Sequence, residues 1–320
     1  MFKYKTYVRI LSLVLLSIVI GSFIYIYFYS KLYPIPLFHR ISLDAKMKFL
    51  RDMSDYDRID TLIVGSSIGL NNIQGIVLED SSEAIKHVAN ISALGLHTTQ
   101  VEQLSELFSL FPNVKRVIYS TQFEDWGETF LLGDNKKVDF AIDYIHLGKG
   151  TIDFTYSLYT FKHLIEFTKN HWKWEKVYAP NNTNYCSTFD RTGSVPLNMY
   201  GEDINHKMFT TPPVNTKLKK ENFLALEKMI KGLQYRNIRF YLIAQPYRQY
   251  MIDNYDDVRI AREKFVQKTQ EITIRNDGKF IDLHSKLQLS DDFFADREHL
   301  NSNGSAVITK EVAKFIDASE

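Results

Sequence analysis

Hydrophobic positions change their spacing several times along this chain. The run from Ile10 to Ser30, ILSLVLLSIVIGSFIYIYFYS, carries no charged residue. About 20 apolar residues at 1.5 Å rise each cross a ~30 Å hydrocarbon core, so the run predicts one transmembrane helix at 10–30. Tyr25, Tyr27 and Tyr29 gather at its end, where amphipathic rings favour the membrane–water interface. A cleaved signal peptide is the alternative. The length of the run, and the lack of a small-x-small site behind it, favour an uncleaved anchor. Lys3, Lys5 and Arg9 precede the run, and Lys31, Arg40 and Lys46 follow it, so the positive-inside comparison is nearly balanced. Long domains translocate despite flanking charge. The expected arrangement is therefore a cytoplasmic 1–9 and an exported body, periplasmic or extracellular.

A connector, 31–57, follows. It contains the proline-bearing KLYPIPLFHR and a helical pattern from about Ile41 to Tyr56. Beyond it, short apolar runs alternate with longer amphipathic ones. Strands are predicted at 61–65, 86–92, 114–120, 238–245 and 279–284, and helices at 98–111, 221–234, 257–272 and 303–316. Val101, Leu104, Leu107, Phe108 and Phe111 mark one helix face, and Phe223, Leu226, Met229, Ile230 and Leu233 mark another. Such alternation implies an α/β domain whose mainly parallel sheet is covered on both faces and binds ligands at the carboxyl ends of its strands.

The alternation is interrupted from about 122 to 216. That segment holds the aromatic HWKWEKVY and the loop-like PNNTNYCSTFDRTGS. It is too long for a loop, so it predicts an insertion with helices of its own that could cover the site. The body reads as one domain, 58–320, carrying that insertion.

Composition narrows the function. With 320 residues, 45% of them apolar and 24% charged, the chain can bury a substantial globular core. A net charge of +1 with scattered Lys and Arg gives no footprint for nucleic acid. Cys186 is the one cysteine, which excludes an intrachain disulfide framework and a cysteine-based zinc site. The histidines form no HExxH, so no metal is expected. Neither GxxxxGK[ST] nor GxGxxG occurs, so no nucleotide or other cofactor is expected.

Two distant segments carry the candidate chemistry. DTLIVGSSIGLNN ends a strand in Gly65-Ser66-Ser67, where an α/β sheet exposes reactive side chains. A serine hydroxyl becomes a nucleophile only beside an imidazole, and the imidazole needs an acid to fix its tautomer. FFADREHLNSNG supplies Asp296 and His299, spaced so that the carboxylate reaches the near ring nitrogen and the far one stays free. Singly, these segments read as a strand-ending turn and a helix cap beside a surface histidine. Together they suggest a triad, with Ser66 competing against Ser67 for the nucleophile.

Tyr247 and Arg248, in IAQPYRQY after the fourth strand, could face the cleft and bind a sugar or carboxylate; a proline turn with a solvated arginine is the other reading. Asp282 and His284, in IDLH, would share a strand face and support the final loop, and His97 would cap the helix starting at Thr98.

In this order, residues 58–120 and 236–318 resemble the SGNH (GDSL-like) hydrolase superfamily, in its membrane-anchored bacterial branch with Gly-Ser-Ser in place of Gly-Asp-Ser. The resemblance implies a three-layer α/β/α flavodoxin-like domain behind one N-terminal transmembrane helix. It makes Ser67 the nucleophile, with His299 and Asp296 from the closing Asp-x-x-His block and its LNSNG. The oxyanion hole would comprise the N–H groups of Ser67 and of Gly95, in NISALG, where Asn90 leads. The family's third block is usually Gly-x-Asn-Asp; here YSTQFED lacks both the glycine and the asparagine, leaving the Gln122 amide to donate. One lost oxyanion donor costs roughly 100- to 1,000-fold in turnover. The implied activity is that of a serine esterase or O-acetyltransferase acting on acyl, foremost acetyl, esters of an envelope or extracellular polysaccharide. For transfer, a membrane protein would serve as acyl donor. A non-catalytic scaffold or glycan-binding protein that kept the fold is the alternative.

Overall fold

Five short runs form one parallel sheet: β1 (Thr61–Gly65), β2 (Val88–Asn90), β3 (Arg116–Thr121), β4 (Arg239–Ala244) and β5 (Lys279–Asp282). Their spatial order is β2-β1-β3-β4-β5. The computed structural model describes residues 2–150, 153–177, 189–204 and 206–320. The chain groups into two units, one of Met1–Ser54 with Phe140–Ala179, the other of Asp55–Asp139 with Pro180–Glu320.

The sheet belongs to the second unit and explains the apolar strands. Ile63, Ile118, Tyr241 and Ile243 face a core shared with Leu78, Ile308, Val312 and Ile316. Their neighbours Leu62, Val64, Val117, Tyr119, Phe240 and Leu242 point the other way and are buried as well. On that second face Trp126 packs 4.8 Å from Phe223 and 5.5 Å from Phe265, on helices Lys220–Tyr235 and Asp256–Arg275. A sheet buried on both sides needs apolar residues in both registers, so its strands read as continuous runs. Gly65 stands opposite Ser120, and Ala244 opposite both Thr121 and Asp282, which aligns the carboxyl ends.

Several boundaries differ from expectation, β2 being shorter than 86–92 among them. The pattern over 98–111 splits into an α-helix, Thr98–Gln103, and a 3-10 helix, Leu104–Leu110. Leu104, Leu107 and Leu110 are all buried, and their spacing matches the threefold period of the tighter helix. β5 stops at Asp282, whose carboxylate accepts from Ser285 (2.6 Å) and pairs with Arg262 at 2.5 Å. A helix, Leu283–Leu287, starts there, so His284 does not continue the strand alternation. The helix at Ile41 ends at Asp52, short of Tyr56.

The first unit combines the N-terminal segment with part of the expected insertion. It contains helix Phe2–Tyr29, of which Tyr4–Tyr29 is long and apolar enough to cross a membrane. Residues 31–54 are more than a connector. Helix Ile41–Asp52 buries Leu43, Met47 and Leu50, and Arg51 donates to the Tyr144 hydroxyl (2.8 Å) and to Gly148 O (3.0 Å). The middle of the insertion, including helices Phe154–Lys162 and Leu164–Val177, therefore groups with the N-terminal segment, while 189–216 remains with the sheet. Tyr178 to Thr188, with Cys186 and most of the loop-like stretch, lie outside the described residues.

Candidate active site

The strand-to-helix corner after β1 depends on Gly65. Its φ is +153°, and a Cβ would meet Ser120 O at 2.3 Å, so the neighbouring strand admits no side chain. Ser66 comes next, extended and almost wholly buried. It N-caps helix Ser67–Asn72, its Oγ accepting from Ile68 N (3.1 Å). Capping uses Ser66 and leaves Ser67, the first helical residue, half-buried at the sheet edge. Replacing Ser66 with alanine should cost about 1 kcal/mol of stability, the usual value of a lost N-cap, and still leave the Ser67 hydroxyl reactive; urea unfolding and covalent labelling check the two halves.

The closing block meets this corner. Asp296 is fully buried, and the loop after it wraps round its carboxylate. Oδ1 accepts the backbone N–H of Glu298 (2.9 Å) and of His299 (2.7 Å). His299 Nδ1 lies 2.9 Å from Oδ2 and 3.1 Å from Oδ1, which directs Nε2 outward, 2.8 Å from Ser67 Oγ. Asn72, on the Ser67 helix, accepts from Leu300 N (3.0 Å) and fixes the distance between the two blocks. Asn301 caps helix Ser302–Asp317 through Gly304 N (3.0 Å), which accounts for the Asn and Gly of LNSNG.

The returning end of the insertion braces the same corner. Asn71 donates to Val195 O (2.7 Å), Asn90 N to Thr192 O (2.7 Å) and Ser302 N to Leu197 O (2.7 Å). Asn90 Nδ2 also donates to Gly69 O (2.8 Å), so it positions the Ser67 helix.

Candidate oxyanion donors divide. Ser67 N–H, at the first helical position, has no acceptor within its helix. The chain after β2 keeps pairing along β1, Ile91 N to Ile63 O (2.9 Å) and Ala93 N to Gly65 O (3.3 Å). The next N–H on that side is that of Gly95, in an exposed turn with φ +65°. Gln122 is not the free donor expected. Its amide nitrogen donates to the Glu298 carboxylate, and its Oε1 is buried without a partner. A glutamine is one methylene longer than the asparagine it replaces, and that reach carries the amide to Glu298.

Tyr247 and Arg248 do not face a cleft either. Tyr247 is buried with its hydroxyl donating to Glu124 (2.7 Å), and Arg248 is buried in a two-pronged pair with Asp291 (2.8 and 2.6 Å). The proline turn tucks both inward. His284 accepts from Tyr247 N (3.4 Å), and burial lowers its pKa to about 4, so it supports that turn as a neutral ring. His97 stands at the N-cap of helix Thr98–Gln103, its N–H bonded to Gln100 (3.1 Å).

Glu298 and Asp125 were not read from the sequence as part of the site. Glu298 takes the Gln122 amide and lies 3.6 Å from Arg297, which also holds Glu124 (2.9 Å). Burial, with Glu124 beside it, pushes the Glu298 carboxyl up to about 8. Asp125 ends the altered third block. Burial pushes it up to about 7, against the hydrogen bonds from Ser66 and Thr121 that hold it under the corner. In sequence both look like solvated charges; a signal lay in their adjacency to the candidate blocks.

Burial by itself would lower the His299 pKa. The carboxylates of Asp296 and Glu298 outweigh it and push the imidazole up to about 9. Burial would raise Asp296, but the imidazolium and the hydrogen bonds it accepts hold it down at about 2. Ligand atoms of Asp296, Glu298 and His299 lie within 4.8 Å of one another, close enough for a cation to bridge. Both His299 nitrogens are already engaged, one by Asp296 and one by Ser67, which fits proton transfer better than metal ligation.

No family model matches the chain, and no curated protein matches it.

Proposed function

We propose that this is a membrane-anchored SGNH-type serine esterase or O-acetyltransferase acting on acyl, foremost acetyl, esters of an envelope or extracellular polysaccharide. The observation that carries the reading is the unbroken relay from Ser67 Oγ through His299 to Asp296, at 2.8 and 2.9 Å. In this reading His299 Nε2 takes the Ser67 proton as Oγ attacks the ester carbonyl. Asp296 holds the ring tautomer and stabilises the imidazolium. The oxyanion is met by the N–H groups of Ser67 and Gly95. The alcohol departs with the proton from His299, and the acyl group on Ser67 passes to water or to a sugar hydroxyl. Transfer needs an acyl donor, and a membrane protein supplying it is the partner proposed.

The strand order favours the same family, since β2-β1-β3-β4-β5 is the flavodoxin-like winding, with the reactive residues outside the carboxyl ends. The apolar helix favours a single-pass anchor, and export of the sheet unit is part of the proposal. The glycan comes from the resemblance to anchored SGNH proteins.

A second reading, a non-catalytic scaffold of a polysaccharide system, is favoured by one observation: Gln122 is held by Glu298, so the third oxyanion donor is not filled. A fluorophosphonate probe separates the two. The active enzyme labels at Ser67 and the Ser67→Ala variant does not; folded wild-type protein that stays unlabelled supports the scaffold. Acetyl gained or lost by a candidate glycan then distinguishes transferase from esterase.

A further inference from the structure

The paired helices Phe154–Lys162 and Leu164–Val177 belong to the anchor's unit and pack along its later turns. Phe161 stacks on Phe23, with centroids 4.8 Å apart and planes 9° from parallel. His171 Nδ1 meets the Tyr25 hydroxyl at 2.7 Å, and Phe167 lies 5.7 Å from the Tyr25 ring. Phe23 precedes the end of the charge-free run at Ser30 by roughly 10 Å of helix, at 1.5 Å per residue.

At this level one side of the anchor is covered by the pair. The other side is apolar and bare, with Ile24 53% and Phe28 60% exposed. A span long enough to cross the hydrocarbon needs those bare turns in lipid, because Ile10 to Gly21 alone reaches only about 18 Å. Helices packed against the same turns then reach the same depth.

Their outward surface suits that place. Phe154, Ile165 and Trp172 are 73, 76 and 67% exposed, and Leu158 is partly so. Phe154 and Leu158 lie four residues apart on one helix, and Ile165 and Trp172 seven apart on the other, both helical spacings. Next to this line Lys162, Lys169 and Lys173 border an open cavity of about 750 Å³, together with His39 and with Glu166, which bonds His39. An apolar face edged by lysines is the pattern of helices lying at the acyl–headgroup boundary, with the ammonium groups reaching lipid phosphates.

We propose that this helix pair is a second membrane contact, lying in the bilayer interface beside the anchor with Phe154, Ile165 and Trp172 in the acyl region. The inference rests on the reading that the anchor spans a bilayer. It does not depend on the acyl-transfer chemistry.

The test uses the full chain in lipid nanodiscs of phosphatidylcholine and phosphatidylglycerol. In a Cys186→Ser background, single variants Leu16→Cys, Ile165→Cys and Val214→Cys carry an environment-sensitive fluorophore. Leu16 is in the anchor, and Val214 is fully exposed in the sheet unit. The expected result is a blue-shifted label at 165 that loses iodide quenching and gains quenching by doxyl-labelled lipid, as at 16, while 214 does the reverse. Iodide access at 165 with lipid quenching at 16 overturns the inference and leaves the anchor standing. A label at 165 shielded from both quenchers, with cysteines there cross-linking between copies, overturns it in favour of a second copy. Absence of lipid quenching at 16 overturns the anchor reading itself.

Discussion

Replacing His299 with alanine should lower turnover of a small acetyl ester roughly 10⁴- to 10⁶-fold, the loss seen when a serine nucleophile is deprived of its base. Ser67 Oγ has its 2.8 Å contact with Nε2, and among the described residues no second imidazole is bonded to it. The same change strips the buried Asp296 of its cation, and breaking a buried pair can cost 3–5 kcal/mol, so loss of activity by itself could reflect unfolding. Asp296→Asn separates the two causes. An asparagine can still accept the N–H groups of Glu298 and His299, which hold the loop. It would favour the wrong imidazole tautomer and should cost about 10⁴-fold. Groups acting as one unit are non-additive, so the double variant should be scarcely worse than His299→Ala. Thermal unfolding of each variant, followed beside its steady-state rate, makes the check. Turnover within tenfold of wild type in either single variant would sink the triad.

How far the sequence foretold this site depends on what each residue answers to. β1 was legible to the residue because a strand buried on both faces leaves a continuous apolar run, TLIVG, ended by a glycine that has no steric alternative. Asp296 and His299 were legible because their pairing is local, made within one turn of chain. Only the resemblance chose Ser67 over Ser66, since the choice rests on which one caps the helix and the two side chains are identical. Gln122, Tyr247 and Arg248 were misread for one shared reason. Each is a long side chain at a strand end whose direction is set by a charge far away in sequence: Glu298, Glu124 and Asp291 respectively. The grouping of Met1–Ser54 with Phe140–Ala179 was not legible either, because it joins segments separated by the whole of Asp55–Asp139. Periodicity reports that a face is buried, and it does not say against what.

Activity of the wild-type protein should rise with pH through neutrality and level off only near pH 9. Attack requires a neutral His299, and the facing carboxylates of Asp296 and Glu298 hold its proton up to about 9. At pH 7 on the order of 1% of molecules would have the base free, so kcat/KM there should be about a hundredth of its plateau. Stability runs the opposite way. The imidazole binds its proton more tightly folded than unfolded, so its contribution is complete below pH 6.5 and is lost as pH climbs through 9. Glu298, raised from 4.5 to about 8, adds to the same decline, while the contribution of Asp296 is complete above pH 3.8 and is lost only as pH falls toward 2. Glu298→Gln tests the cause. A glutamine can still accept the Gln122 amide, but it removes the charge that Glu298 carries above about pH 8, so the midpoint should move down in pH. The profile of kcat/KM, and an NMR titration of the His299 ring that needs no turnover, should shift together. A midpoint unmoved in both would mean that Glu298 does not set the base, and that Asp296 holds the imidazolium unaided.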